Sequence, residues 1–349
     1  MNSSPLAEEV LAIQDLRCDF LTLDDSSGGG AVPRILYALG GVTLSLRRGE
    51  IHGLVGESGC GKSITSRAIL GLLDKKRSRL RGAIRFDGRN LLELDEKALR
   101  AIRGRRIAMV FQDPSLSPLE TVGSQIEEAL SNHFSLSPAE LRRRALSLLE
   151  QTGLNLETAD RYPFELSGGM QQRVMIAIAV SCNPELLIAD EPTTALDVTI
   201  QAQVLSLLRT LQRELSLSAL LITHNFAVVA ETCDRVSVMY AGQIVETART
   251  EDLIAAAAHP YSRALIDCIP RGRGEGDREP LRVIPGFPPR LYEPPRGCPF
   301  APRCARSDGA CAAKPARLDL GDGHVVFCHH PEEAAGETPR GGASRSREP

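Results

Sequence analysis

The octapeptide Gly56-Glu57-Ser58-Gly59-Cys60-Gly61-Lys62-Ser63 constrains this chain more than any other feature. An apolar run over 51–55 precedes it and reads as a buried strand, and the stretch over 64–73 continues as a helix. Glycines ending in Gly-Lys-Ser between a strand and a helix make a loop whose backbone N–H groups, together with the helix N-terminus, face phosphates. Lys62 is then placed for the β- and γ-phosphates of a nucleotide and Ser63 for its Mg²⁺. A chance glycine-rich turn is the rival, and the strand-to-helix context counts against it.

A second apolar run, Leu186-Leu187-Ile188-Ala189, delivers Asp190 and Glu191 at its end, where α/β sheets bind ligands. Asp190 is expected to hold Mg²⁺, and Glu191 to polarise an attacking water. Alone, such an acidic pair would more often cap a helix; paired with the phosphate loop it forms a site.

Strands and helices alternate around these motifs. Residues 11–48 read as strand material broken by the loop over 24–30, 42–46 alternates at period two, and 94–153 is helix-rich with an amphipathic segment over 138–149. Helices over 170–180 and 200–211 alternate with strands over 186–189 and 220–223, which implies a mainly parallel sheet covered on both faces. At 349 residues the chain is expected to hold one large domain and an appendage.

Leu166-Ser167-Gly168-Gly169-Met170-Gln171-Gln172-Arg173 resembles the signature motif of ATP-binding-cassette (ABC) proteins. Its residues suit a helix N-terminus opened by Ser167. The resemblance implies that the signature of one subunit, Leu166 to Gln171, closes over ATP held by another. Other family elements follow in order. Gln112, in Val110-Phe111-Gln112-Asp113-Pro114, resembles the Q-loop and would share the Mg²⁺ with Ser63 and Asp190; Asp197, in Ala195-Leu196-Asp197, resembles the D-loop; His224 resembles the switch histidine. Tyr37 is the only aromatic shortly before the phosphate loop and is the candidate for stacking on adenine. Cys60 stands where the family often has Ser, and a thiol there is expected to be open to alkylation unless ATP shields it.

The implied fold is α/β: a P-loop NTPase (RecA-like) core with a mainly parallel sheet, an antiparallel β subdomain, an inserted α-helical subdomain over about 94–180 and a small Cys-rich C-terminal extension. The nucleotide-binding domain spans 11–268 and the extension 269–331; 269–295 reads as a linker and 332–349 as a disordered tail. His259-Pro260-Tyr261 and the cysteines beyond it resemble ATPase subunits of dipeptide and oligopeptide importers, a group that also serves nickel and other solutes. Cys298, Cys304, Cys311 and Cys328 are separated by five, six and sixteen residues, a spacing that does not choose between Zn²⁺ and a four-iron cluster. The resemblance favours a [4Fe-4S] cluster. His324, His329 and His330 lie close enough to replace a cysteine, and four reduced thiols remain the plain alternative. Cys18, Cys182, Cys233 and Cys268 read as packing residues.

A net charge of -3 offers no general reason to bind nucleic acid, and Arg103, Arg105 and Arg106 read as a solvated face. No run reaches the ~18 apolar residues a membrane span needs, so membrane work implies partners. The resemblance implies two transmembrane permeases, a second ABC ATPase (a paralogue or a second copy), an extracytoplasmic substrate-binding protein, and a peripheral place on the cytoplasmic face of the membrane. A soluble ABC ATPase of DNA repair or translation is the rival, disfavoured by the single cassette and the importer-like tail.

Overall fold

The computed structural model describes residues 8–24, 32–113, 115–194, 196–269 and 283–332. The loop over 25–31, residues 270–282 of the expected linker and the tail from 333 onward lie outside them, as do Pro114 and Ala195 of the Q- and D-loop motifs.

Two sheets organise the chain. A four-stranded antiparallel sheet takes the order β2-β1-β4-β5, from β1 (Glu9–Asp24), β2 (Val32–Arg47), β4 (Ser78–Phe86) and β5 (Arg89–Asn90). The main sheet runs β11-β12-β10-β9-β3-β8-β7-β6, from β3 (Ile51–Val55), β6 (Ile107–Val110), β7 (Leu186–Asp190), β8 (Ser218–Thr223), β9 (Arg235–Tyr240), β10 (Gln243–Arg249), β11 (Arg317–Gly321) and β12 (His324–Phe327). Its centre, β9-β3-β8-β7-β6, is parallel. β3, β7 and β8 are buried along their whole length, and their side chains divide by the period-two rule between two cores. Val55, Leu187, Ala189 and Leu221 face one; Leu54, Leu186, Ile188 and Leu220 face the other.

Register brings the ends of these strands together: Val55 lies opposite Thr223, Asp190 opposite Ile222 and Val110 opposite Ala189. Every loop leaving β3, β6, β7 and β8 therefore opens on one crevice. β6 falls inside the stretch expected to be helical. Its four residues are too few to show a period, and pairing with β7 makes it a strand.

The helices around it begin at side-chain caps. After α1 (Lys62–Ile69), Asp95 caps α2 (Glu96–Ile102), Thr121 opens α3 (Val122–Ser131), Ser137 opens α4 (Pro138–Gln151) with a capping box to Glu140, and Ser167 opens α5 (Gly168–Val180). The extension contributes the β11–β12 hairpin, whose Val326 and Val325 pair antiparallel with Glu246 and Thr247 of β10. Glu246 is fully buried; it accepts from the N–H groups of Ala258 and His259, and His324 Nε2 lies 2.7 Å away. The expected solvated arginine face is instead partnered: Arg103 donates to the carbonyls of Leu70 and Gly71, Arg106 to Glu185 and Asp87, and Arg105 lies over the Phe134 ring.

Candidate functional site

The phosphate loop leaves β3 and enters the helix Lys62–Ile69. A Cβ on Gly56 would stand 2.1 Å from the Met239 carbonyl oxygen of β9, so only glycine lets the loop turn this close to the sheet. The Lys62 ammonium is buried inside the loop and donates to the carbonyls of Gly56 (2.8 Å) and Glu57 (3.0 Å). Ser63 Oγ donates to one oxygen of Asp190 at 3.2 Å and Ser66 Oγ to the other at 3.3 Å. Burial pushes the Asp190 carboxyl upward against these two hydroxyls. A carboxylate beside a serine hydroxyl is the oxygen-only donor set that Mg²⁺ takes, and the residues present fit that ion.

Glu191 departs from the strand in the left-handed backbone region (φ 48), its N–H donating to the Ile222 carbonyl at 2.8 Å. A non-glycine residue there is strained, and its carboxylate has partners of its own, distinct from the hydroxyls that meet Asp190. His224 Nδ1 lies 3.0 Å from one Glu191 oxygen and so carries the proton, while Thr194 Oγ1 donates to the other oxygen at 2.9 Å. Burial pushes the Glu191 carboxyl up, but the His224 and Thr194 hydrogen bonds and the His224 and Lys62 charges outweigh it. The net shift is downward.

The fold thus brings Lys62, Ser63, Asp190, Glu191 and His224 to one crevice. Gln112 is exposed two residues past the end of β6, beside the same strand ends. Leu166–Gln171 stand apart: among the described residues no hydrogen bond or ion pair joins them to Gly56–Ser63. Ser167 caps α5 by accepting from Met170, and a Cβ on Gly169 would meet Ile200 at 2.5 Å. Asp197 caps the helix Val198–Glu214 by accepting from Ile200 N–H at 2.9 Å. Tyr37 is half-buried against the larger core, and its N–H donates to the Leu291 carbonyl.

One expectation fails on exposure. Cys60 is buried beneath the loop and burial pushes its thiol up, which disfavours the thiolate that alkylation needs. Ser66, Thr194 and Arg303 escaped the sequence reading, and Tyr261 entered it only as part of the importer-like motif. The first two flank motif residues at helical or turn spacing, a signal that was available. Tyr261 Oη accepts from Glu57 N–H at 2.9 Å and Arg303 pairs with the Glu57 carboxylate across 246 residues, for which no local signal exists.

In the extension, Cys311 and Cys328 are buried and Cys298 and Cys304 half-buried. Burial pushes the Cys328 thiol up to about 11, with the other three thiols adding to the shift, so the four share one neighbourhood. A single tetrahedral zinc would hold its sulfurs roughly 3.8 Å apart. Among the described residues the only set of three or more donors lying mutually within 4.8 Å is Asp308, Cys311 and His330, so one zinc on all four thiols does not fit this arrangement. His324 is engaged by Glu246 and His329 lies 3.0 Å from the Ala313 carbonyl, which leaves His330 as the histidine beside a cysteine.

A crevice with this loop, these strand-end acids and a separate signature helix defines an ABC ATPase. The ABC transporter family model matches residues 39–194, and a model for the C-terminal region of oligopeptide/dipeptide transporters matches 245–311. A probable peptide ABC transporter ATP-binding protein of Sinorhizobium fredii is 49% identical over 95% of this chain and 98% of its own length. The dipeptide transport ATP-binding protein of Bacillus subtilis is 44% identical (92% and 94%), and the oligopeptide transport ATP-binding protein of Escherichia coli 43% (94% and 95%). Among solved structures, an ATP-binding cassette dimer bound to ADP and phosphate superposes with a TM-score of 0.60 at 29% identity, covering 69% of this chain and 98% of that one. The chain belongs to the ATP-binding subunits of ABC transporters, in the group that carries the oligopeptide/dipeptide-type C-terminal region. It is an ATPase that works on ATP with Mg²⁺.

Proposed function

We propose that this chain is the motor of a peptide importer, binding and hydrolysing MgATP at the cytoplasmic face of the membrane to drive two transmembrane permeases. The observation that carries this reading is full-length similarity to peptide transport ATP-binding proteins, extension included. No described helix is long and apolar enough to cross a membrane, so the work reaches the membrane through partners.

The roles follow from the crevice. Residues 56–63 cradle the phosphates, with Lys62 released from the Gly56 and Glu57 carbonyls to meet them; Ser63 and Asp190, with Gln112, would hold Mg²⁺, which supplies charge neutralisation to the triphosphate when bound. Glu191, kept ionised at neutral pH by its partners, accepts the proton of the attacking water, and His224 orients it and reaches the γ-phosphate. Tyr37 is the candidate adenine contact. Ser167 to Gln171 lie apart from the loop within one chain, which supports a composite site closed by the signature of a second cassette, with Asp197 at that boundary. That second cassette is a paralogue or a second copy, and a substrate-binding protein outside the membrane completes the system. The cargo class is a dipeptide or oligopeptide, with nickel or another small solute as its rival. We also propose Cys298, Cys304, Cys311 and Cys328 as ligands of an iron–sulfur cluster, in which each thiolate binds its own iron and the sulfurs need not touch. Iron and sulfide analysis of anaerobically prepared protein tests this, and substoichiometric amounts of both would defeat it.

The motor reading is tested by tagging the chain, extracting native membranes with mild detergent and identifying what co-purifies. Two multi-span permeases and a cassette ATPase are expected. Recovery from the soluble fraction alone would overturn it in favour of a soluble ABC ATPase.

A further inference from the structure

We propose that Arg303 of the C-terminal extension is a positioning residue for the phosphate loop, acting by neutralising and anchoring Glu57 so that the extension sets how well the loop receives a triphosphate. The proposal rests on the ATP site described above.

Glu57 is the second residue of the loop, and its backbone is held at both ends: its N–H donates to Tyr261 Oη and its carbonyl accepts from Lys62. Its carboxylate is met by a two-pronged pair, Arg303 Nη1 at 2.7 Å and Nη2 at 3.0 Å. Parallel N–H bonds of this kind fix orientation as well as charge. The Arg303 side chain is 5% exposed and that of Glu57 25%, so solvent and salt reach the pair from the carboxylate side. Its remaining donors are spent on the extension, Nε on the Pro285 carbonyl at 2.8 Å and Nη2 on that of Ile284, and Nη1 also reaches Tyr240 Oη at 3.2 Å. Arg303 sits between Phe300, which packs on Tyr240 and Tyr261, and Cys304 of the cysteine set. A carboxylate inside a loop built to receive about four negative charges opposes that ligand. Arg303 removes the opposition and fixes the side chain on the extension, while Tyr261 keeps hold of the backbone when Lys62 turns to the phosphates.

The sign of this role separates it from packing. In the full-length chain, titrated with a non-hydrolysable ATP analogue and Mg²⁺, Arg303→Met is expected to weaken affinity about tenfold, because it leaves Glu57 unpaired. Arg303→Lys, with charge but no fork, recovers to within about threefold of the parent. Adding Glu57→Gln to Arg303→Met restores affinity to within about threefold as well, and the Arg303→Met deficit narrows as KCl is raised. A residue that only packs would give a double variant no better than Arg303→Met. That result, or Arg303→Met binding within about twofold of the parent, overturns the proposal. Should Arg303→Met fail to fold, Arg303→Gln, polar but uncharged, carries the comparison: a deficit relieved by Glu57→Gln supports the coupling and no deficit refutes it. A parent chain that itself binds no analogue would instead remove the ATP-site reading.

Discussion

The nucleotide crevice and the C-terminal extension are held together in opposite ways. The crevice is assembled from contiguous runs, residues 56–63 and 186–191, each delivered by one buried strand and aligned by sheet register. The extension has few apolar residues of its own and borrows its anchors. Phe300 sits among Tyr240, Tyr261 and His259; β12 pairs with β10; His324 meets the buried Glu246; Arg303 reaches Glu57. A small segment with so little core gains stability by sharing that of a larger one. The extension is therefore part of the cassette's sheet and of its loop, rather than a bead on a tether.

The largest expected effect lies in the crevice. Glu191→Gln is expected to lower ATP turnover about 10²–10⁴-fold while analogue affinity stays within about threefold, which phosphate-release and binding assays on one preparation would show. Equal losses in both would mean that the acid also shapes binding. On the other side, Phe300→Ala removes the buried ring at the junction and is expected to cost about 3–5 kcal/mol by chemical denaturation. A loss below about 1 kcal/mol would mean that the extension folds apart from the cassette and would break the contrast.

pH sharpens the same junction. Burial pushes the His259 imidazole down to about 4, with Glu246 pulling the other way. A group whose pKa is depressed on folding favours the native state above its unfolded value. The stability is thus fully present above about pH 6.5 and is lost as pH falls toward about 4, a span of roughly 3 kcal/mol. His259 Nδ1 accepts from Tyr261 N–H as the cap of the helix Pro260–Asp267, so His259→Asn keeps a cap and is expected to remove that part of the pH slope. Unchanged slopes in the two proteins would assign the acid sensitivity to other groups. The smallest effect belongs to a site remote from both regions: Ser137→Ala breaks the α4 capping box and is expected to cost about 1 kcal/mol in thermal unfolding with analogue affinity unmoved.

What could be read from the chain alone follows the same division. The strand over 51–55, the loop after it, the acids after Ala189 and the signature helix were legible because each depends on spacing within about ten residues. β6 was hidden by its length, and the burial of Cys60 by the fact that a loop's interior is decided by what lies under it. The sequence by itself determined the chemistry: which residues carry phosphate-binding backbone, carboxylates and a histidine, and in what order. Only the tertiary structure decided which distant groups hold that chemistry in place. His224 on Glu191, Tyr261 and Arg303 on Glu57, and His324 on Glu246 are pairings across 33, 204, 246 and 78 residues. Periodicity and propensity act over a turn or a strand, whereas such pairs exist only once sheet register and packing have brought their elements within hydrogen-bond reach.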